Sequence, residues 1–133
     1  MSQEHLELLH GANGDFNRRD LDAFLALLDA NVEFNTRIVE LEGGGPFRGH
    51  DGVRRWWKEL FEVFPDFSSE IEEIRDLGDT TITRVLLHGQ GIGSDAVTEQ
   101  RQWIVSEWRG RKAIRWLSFG SENEALEAAG LSE

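Results

Sequence analysis

The order in which helical and extended segments follow one another is the strongest constraint on the fold of this chain. Apolar residues at helical spacing predict a pair of helices over residues 6–28, and a first strand follows at 32–41. A third helix opens at Phe47, and the remainder is almost entirely extended. One helix between the first strand and the others predicts an α+β protein. We expect its sheet to curl around the helices and to leave a cavity between the two layers.

The third helix carries the clearest amphipathic pattern. Asp51 is expected to cap it and Pro65 to end it. The apolar positions between them recur at helical spacing and are bulky, namely Val53, Trp56, Trp57, Leu60, Phe61 and Phe64. A stripe this wide requires a broad apolar surface, and the sheet is the expected partner.

The second half of the chain predicts a run of hairpins. Strands are expected at residues 67–75, 80–92, 97–108 and 112–119. Because the turns between them are short, neighbouring strands should be antiparallel. Asp20 and Ser121 are the expected N-caps of the second and the last helix.

Alternation within the strands predicts which side chains face the helices. In residues 80–92 the inward face is assigned to the smaller and more apolar set, Thr83, Val85 and Leu87. The outward face is assigned to Arg84, Leu86 and His88. Residues 112–119 are apolar on both faces, with Arg115, Leu117 and Phe119 on one side. The outer side of the sheet should therefore be covered, and a second copy of the chain would do this.

Size and composition limit the possible functions. The 133 residues suit a single domain over 1–133. A net charge of −11 disfavours nucleic acid and anionic membranes as partners. The chain has no cysteine, no apolar run long enough to cross a bilayer and no secretory signal pattern, so a cytoplasmic location is expected. Eight Phe and five Trp residues predict a ring-rich core or a ring-lined pocket.

Several segments resemble the NTF2-like superfamily, and within it the SnoaL-like (polyketide cyclase-like) group. They are Asn-Arg-Arg-Asp-Leu-Asp-Ala-Phe at 17–24, Asn-Val-Glu-Phe at 31–34, Phe-Arg-Gly-His-Asp-Gly-Val-Arg at 47–54 and Arg-Trp-Leu-Ser-Phe-Gly at 115–120. The resemblance implies a cone-shaped, strongly curved antiparallel sheet wrapped around three helices, with a short C-terminal helix. It also implies a pocket between sheet and helices, and a homodimer formed through the outer sheet face.

The catalytic residues of the best-known enzymes in this superfamily are absent from the matching positions of this chain. In ketosteroid isomerases a carboxylate base works opposite a tyrosine and a protonated aspartate. The matching positions here fall near Phe34, Ala12 and Ile104, all apolar, and the chain has no tyrosine. One aspartate of the related epoxide hydrolases would fall near Leu117. Neither apparatus is therefore expected.

The remaining polar candidates are few. For catalysis we consider Arg115, Gln102, Glu33 and His88, because a guanidinium, an amide, a buried carboxylate or an imidazole could each act on a carbonyl or a proton. The predicted ligand-binding residues are Phe16, Phe34, Trp56, Trp57, Val85, Leu87, Gln102, Ile104, Arg115 and Phe119. His5 and His10 are expected at the surface, and His50 is expected to fix its loop. No metal site and no cofactor are expected.

Three functions remain open at this stage. The first is a cofactor-free isomerase or cyclase that acts on a small apolar substrate. The second is a non-catalytic binder of a hydrophobic metabolite, and the third is a dimeric scaffold domain. A carboxylate or histidine beside the cavity would favour the enzyme, whereas walls without one would favour the binder.

Overall fold

The structure, a computed structural model, describes residues 2–35, 47–90 and 97–130. The second half of the first predicted strand and the glycine-rich segment 42–46 lie outside these ranges. In chain order the elements are α1 (Ser2–Asn17), α2 (Leu21–Ala26), β1 (Leu28–Asn35), β2 (Phe47–Arg48), α3 (Gly49–Val63), β3 (Ser68–Asp76), β4 (Thr80–Gln90), β5 (Val97–Arg109), β6 (Lys112–Phe119) and α4 (Glu122–Ala128).

The strands form one curved sheet in the order β2-β1-β6-β5-β4-β3. The three predicted hairpins of the second half are present as antiparallel pairs. In the described part of the chain β1 and β6 pair in parallel, so the predicted antiparallel sheet has one exception. Parallel neighbours need a long connection, and α3 with the hairpin strands β3–β5 provides one between β1 and β6.

The helices α1, α2 and α3 cover one side of the sheet, which we call the inner face; the opposite side is the outer face. Four residues of the predicted apolar stripe of α3 are buried, namely Val53, Trp56, Trp57 and Leu60. Phe61 and Phe64 are partly buried and pack against the same core. The predicted inward set of β4 is also confirmed, since Thr83, Val85 and Leu87 are each at most 3% exposed. The predicted α+β arrangement of a curved sheet around three helices is thus confirmed.

The predicted caps Asp20 and Ser121 are confirmed. The Asp20 carboxylate accepts a hydrogen bond from the Ala23 amide, and the Ser121 hydroxyl accepts one from the Glu124 amide. Asp51 was wrongly predicted as a cap, because α3 begins earlier, at Gly49. Asp51 lies instead in the first turn, where its negative charge suits the helix dipole.

An irregularity between β5 and β6 changes which residues reach the core. The register shifts between the Glu107–Arg115 pair and the Trp108–Ala113 pair. Unbroken alternation would place Ala113 on the face of Arg115, yet Ala113 is fully buried in the main core. A β-bulge at this point shifts the phase of the strand by one residue, which brings Ala113 to the inner face and leaves Arg115 on the outer one.

The last helix covers part of the outer face. Ala125 of α4 is fully buried and forms a second, smaller core with Ile82 and Val105. Trp103 and Phe119 pack against it. The apolar outer side of the sheet is thus partly closed by the chain itself.

The first helix carries a buried histidine that we had expected at the surface. His5 is 6% exposed and stacks on Trp108 with ring centroids 4.8 Å apart. The prediction failed because Trp108 lies at the far end of the sequence.

No helix of the described residues is long and apolar enough to cross a membrane.

Candidate functional site

A cavity of about 50 Å³ lies between the three helices and the inner face of the sheet. A volume of this size holds a few water molecules. Pockets for drug-sized ligands usually measure ~300–1,000 Å³. A ring-bearing ligand therefore requires the wall to move outward. The wall consists of Leu9, Ala12, Asn13, Phe16, Phe24, Trp56, Ser69, Ile71, Thr83, Val85, Leu87, Ile104 and Trp116.

Aromatic rings occupy most of the space on the helical side. Phe16 is the centre, with its ring centroid 5.2 Å from Phe61 and 6.0 Å from Trp56. Phe34 and Trp57 were also predicted ligand residues; both are buried and touch lining rings, but neither forms part of the wall. The rings thus serve as core, and of the five aromatic residues predicted to bind ligand only Phe16 and Trp56 line the cavity.

The sheet side of the cavity contains the predicted apolar residues Val85, Leu87 and Ile104. Gln102 follows on the same inner face, two residues before Ile104 and opposite Val85 in the register. It is 1% exposed, and its Oε1 atom has no hydrogen-bond partner among the described residues. The prediction that Gln102 faces inward is confirmed.

Arg115 does not reach the cavity. Its neighbour Trp116 lines the cavity, so alternation turns Arg115 to the outer face. There its guanidinium lies 2.9 Å from Glu107 and 3.3 Å from Glu33. The placement of Arg115 and Glu33 at the site was wrong, because both belong to a half-exposed ion-pair cluster behind the sheet.

Two other predicted residues also lie on the outer face. Phe119 packs beside α4 in the second core and does not line the cavity, which corrects its place in the ligand set. His88 points outward as its alternation predicted, with its ring nitrogens 3.7 Å from Glu70 and 3.3 Å from Glu99.

His50 lies 2.9 Å from the Leu28 carbonyl oxygen and fixes the start of α3, as expected.

The cavity wall is electrically neutral. Among the described residues that form it, none is Asp, Glu, His, Lys or Arg. Glu72, whose carboxyl pKa is strongly lowered, lies on the outer face and away from the cavity. Hydrogen bonds from Arg101, and to a smaller extent from Arg84, lower this pKa to about 2. No group of three potential metal ligands occurs in the described part of the chain. The wall therefore holds no group placed for proton transfer at neutral pH.

A polar seam joins α1 to the edge strand β3 beside the cavity, and the sequence did not single it out. The Asn13 amide donates to the Ser69 carbonyl oxygen at 3.0 Å, and both residues line the cavity. Asn17 donates to the same oxygen and accepts from the Ser69 amide, each at 2.9 Å. The two asparagines are one helical turn apart, and that spacing is the signal that could have revealed the seam.

Three buried polar atoms without partners lie on the inner face of β4 and β5. Thr83 Oγ1, Gln102 Oε1 and Ser106 Oγ are buried and have no hydrogen-bond partner among the described residues. Each such atom ordinarily costs about 1–3 kcal/mol of stability. By contrast, the Thr81 hydroxyl accepts a hydrogen bond of 2.9 Å from the Trp108 indole.

A second, more open depression of about 400 Å³ lies between α1, α2 and the β5–β6 turn. Gly11 lines it, and a side chain at Gly11 would meet nothing within 4 Å. The two basic side chains in its lining already have partners within the protein: Arg111 lies 2.5 Å from Glu4, and Lys112 donates a hydrogen bond to the Ala26 carbonyl oxygen. This open and mixed-charge depression lacks the apolar enclosure of the first cavity.

Comparisons with solved structures find the same fold. An NTF2-like protein of unknown function from Burkholderia pseudomallei is 16% identical, with a TM-score of 0.80 over 93% of this chain and 95% of that one. A protein of ketosteroid isomerase-like fold from Catenulispora acidiphila, in complex with trimethylamine, is 14% identical, with a TM-score of 0.77 over 94% and 93%. IdmH, a putative polyketide cyclase from Streptomyces antibioticus, is 19% identical, with a TM-score of 0.72 over 92% and 94%.

Sequence comparison identifies the family. No curated protein matches the chain. The family model of the SnoaL-like domain matches residues 12–117, which include α2, α3, β3 to β5, most of β6 and most of the cavity wall. The chain therefore belongs to the SnoaL-like domain family.

Proposed function

We propose that this protein binds one small, largely apolar molecule between its helices and the inner face of its sheet. The observation that carries the proposal is the wall itself, which is apolar, ring-rich and free of ionisable groups among the described residues. Such a lining suits a hydrophobic guest, because burial of apolar surface supplies about 25 cal/mol per Å².

The same observation ranks the binder above the proton-transfer enzyme. An isomerase that moves a proton needs a group whose pKa lies near the working pH and within hydrogen-bond reach of the substrate. The candidates Arg115, Glu33 and His88 are on the outer face. Gln102 is on the inner face but cannot accept a proton at neutral pH.

A cofactor-free cyclase is the second candidate, and one observation favours it. The chain shares its fold with the putative polyketide cyclase IdmH over 92% of its length. Ring closure is accelerated when the site holds a flexible substrate in a reactive conformation. This requires a cavity of matching shape and no ionisable side chain. We propose that any catalysis at this site is of that kind and uses no cofactor.

Access to the cavity is proposed to run along the seam between α1 and β3. Asn13 and Ser69 line the cavity and are joined to each other, so separating α1 from β3 opens the wall at that point. The seam rests on hydrogen bonds to the backbone of one residue of an edge strand. Opening there leaves the ring cluster of α3 in place.

The test is a melting-temperature screen against steroids, polyketide-like phenols and terpenoids, because a ligand that binds the folded state raises the melting temperature. Ala12→Leu fills the cavity from α1, and Ala26→Leu adds the same side chain at an exposed position as a control. We expect the shift to disappear in the first variant and to persist in the second. Equal shifts in both variants, or no shift across the panel in the parent protein, would refute the proposal. Mass spectrometry of each bound compound then separates binder from cyclase.

The homodimer through the outer sheet face and the cytoplasmic location stay predictions. Among the described residues, the large apolar side chains that are clearly exposed are Val63 and Leu77, at 44% and 39%. Neither lies in the middle of the outer face, part of which α4 already covers. Light scattering across a concentration series would test the dimer.

A further inference from the structure

The inner face of the sheet carries three buried polar side chains whose arrangement points to the chemistry of the guest. Thr83, Gln102 and Ser106 are at most 2% exposed, and each has an oxygen without a partner among the described residues. Buried polar atoms in folded proteins are nearly always paired with protein, water or ligand. We call these three residues the polar patch.

The strand register brings the polar patch together. Thr83 lies opposite Ile104, Val85 opposite Gln102, and Thr81 opposite Ser106. Gln102 and Ser106 are therefore the two diagonal neighbours of Thr83 on the same face, and the long Gln102 side chain is within reach of Thr83. Thr83 and Ile104 both line the cavity, so the patch is centred on its sheet wall.

Charge decides which polar guests fit. A carboxylate or phosphate buried here would face no cation, because Arg115, Arg101 and Arg84 all bind carboxylates on the outer face. An unpaired buried charge is strongly unfavourable. A pure hydrocarbon would leave the patch without partners. Hydroxyls both donate and accept hydrogen bonds, so the patch suits a neutral oxygen.

We infer that the polar patch recognises a neutral hydroxyl group, so that the guest is an uncharged phenol or alcohol with an otherwise apolar body. This inference rests on the proposed function and narrows its substrate class. Thr83 lies in the cavity wall and touches the guest. Gln102 and Ser106 flank Thr83 on the same face and supply further polar atoms behind it.

The experiment compares phenol, toluene and benzoate, which differ at one substituent of the same ring. Binding is measured by ligand-observed NMR on the parent protein and on Thr83→Val and Ser106→Ala. We expect the parent to prefer phenol over toluene by about tenfold, as for one net hydrogen bond, and to exclude benzoate. In Thr83→Val the affinity for phenol should fall to that for toluene, and the affinity for toluene should not change.

Two results would overturn the inference and leave the proposed function standing: equal binding of phenol and toluene by the parent, or an unchanged preference in both variants. Failure of the parent to bind either ring compound would instead count against the proposed function itself.

Thermal unfolding supplies an independent check with a matched control. Thr83→Val replaces an unpaired hydroxyl by a methyl group of the same shape and should leave the melting temperature unchanged or raise it. Thr81→Val removes the acceptor of the Trp108 indole and should lower it. If Thr83→Val and Ser106→Ala lower the melting temperature as much as Thr81→Val does, these hydroxyls are partnered within the protein and the inference is wrong.

Discussion

The two faces of the same sheet differ sharply in how their polar groups are used. On the outer face, Glu72 receives hydrogen bonds from both Arg84 and Arg101, and Arg115 lies between two glutamates. On the inner face, the polar patch has oxygens without partners and the cavity wall has no charge among its described residues. Charged side chains therefore pair with one another on the outer face of the sheet, whereas the described residues that line the cavity on the inner face are all uncharged.

The largest effect we expect comes from removing the central ring of the inner side. Phe16 is 5% exposed and contacts rings of α2 and α3. Phe16→Ala should lower the free energy of unfolding by about 3–5 kcal/mol, because a cavity remains where the ring was. Urea denaturation measures this, with Phe119→Ala on the outer face as the comparison. An equal or larger loss in Phe119→Ala would break the distinction between the two faces.

A smaller effect is expected at the seam between α1 and β3. Asn17→Ala removes two hydrogen bonds to the Ser69 backbone and should cost about 1–2 kcal/mol. If access to the cavity runs along this seam, ligand association and dissociation should both accelerate in this variant. Stopped-flow tryptophan fluorescence is suitable because Trp56 and Trp116 line the cavity. Unchanged rates in a folded variant would place the route of access elsewhere.

Arg115→Met tests whether the outer ion pairs matter for binding. Arg115 is 39% exposed in its side chain, so solvent screens its pairs with Glu33 and Glu107. We expect a loss of at most about 1 kcal/mol in the free energy of unfolding. Ligand affinity, measured by calorimetry, should be unchanged. A large drop in affinity with unchanged stability would show that the cavity is not the site.

The smallest effect is a pH dependence confined to the outer face. Hydrogen bonds from Arg101 hold the pKa of Glu72 at about 2 in the folded protein, against an ordinary 4.5. A lowered carboxyl pKa contributes stability that is present above pH 4.5 and is lost as the pH falls towards 2. In Glu72→Gln the unfolding free energy should therefore fall less steeply across this window. Parallel curves for the two proteins would contradict this assignment.

The sequence predicted the fold well where one pattern was unambiguous. The helical spacing of Val53, Trp56 and Leu60 and the alternation of Val85 and Leu87 each allowed one buried face, and the structure has those faces. Caps such as Asp20 depend on residues three positions away, which local sequence shows directly.

The site was predicted less well because its determinants are non-local. The strand with Arg115 and Phe119 is apolar on both sides, so alternation could not tell which side α4 would cover. The unpaired state of Thr83 and Ser106 depends on what lies opposite them after folding. Local pattern therefore placed Thr83 and Gln102 on the inner face but could not show that their oxygens and that of Ser106 would lack partners.

The most direct test of the account is methyl NMR of the parent protein titrated with phenol. Because the guest is expected against the inner face, the methyl signals of Val85, Leu87 and Ile104 should shift in a saturable manner. The signals of Leu86 and Leu117 on the outer face should stay in place. Saturable shifts confined to the outer-face methyls, or none on either face, would contradict the claim that this protein holds a neutral guest between its helices and its sheet.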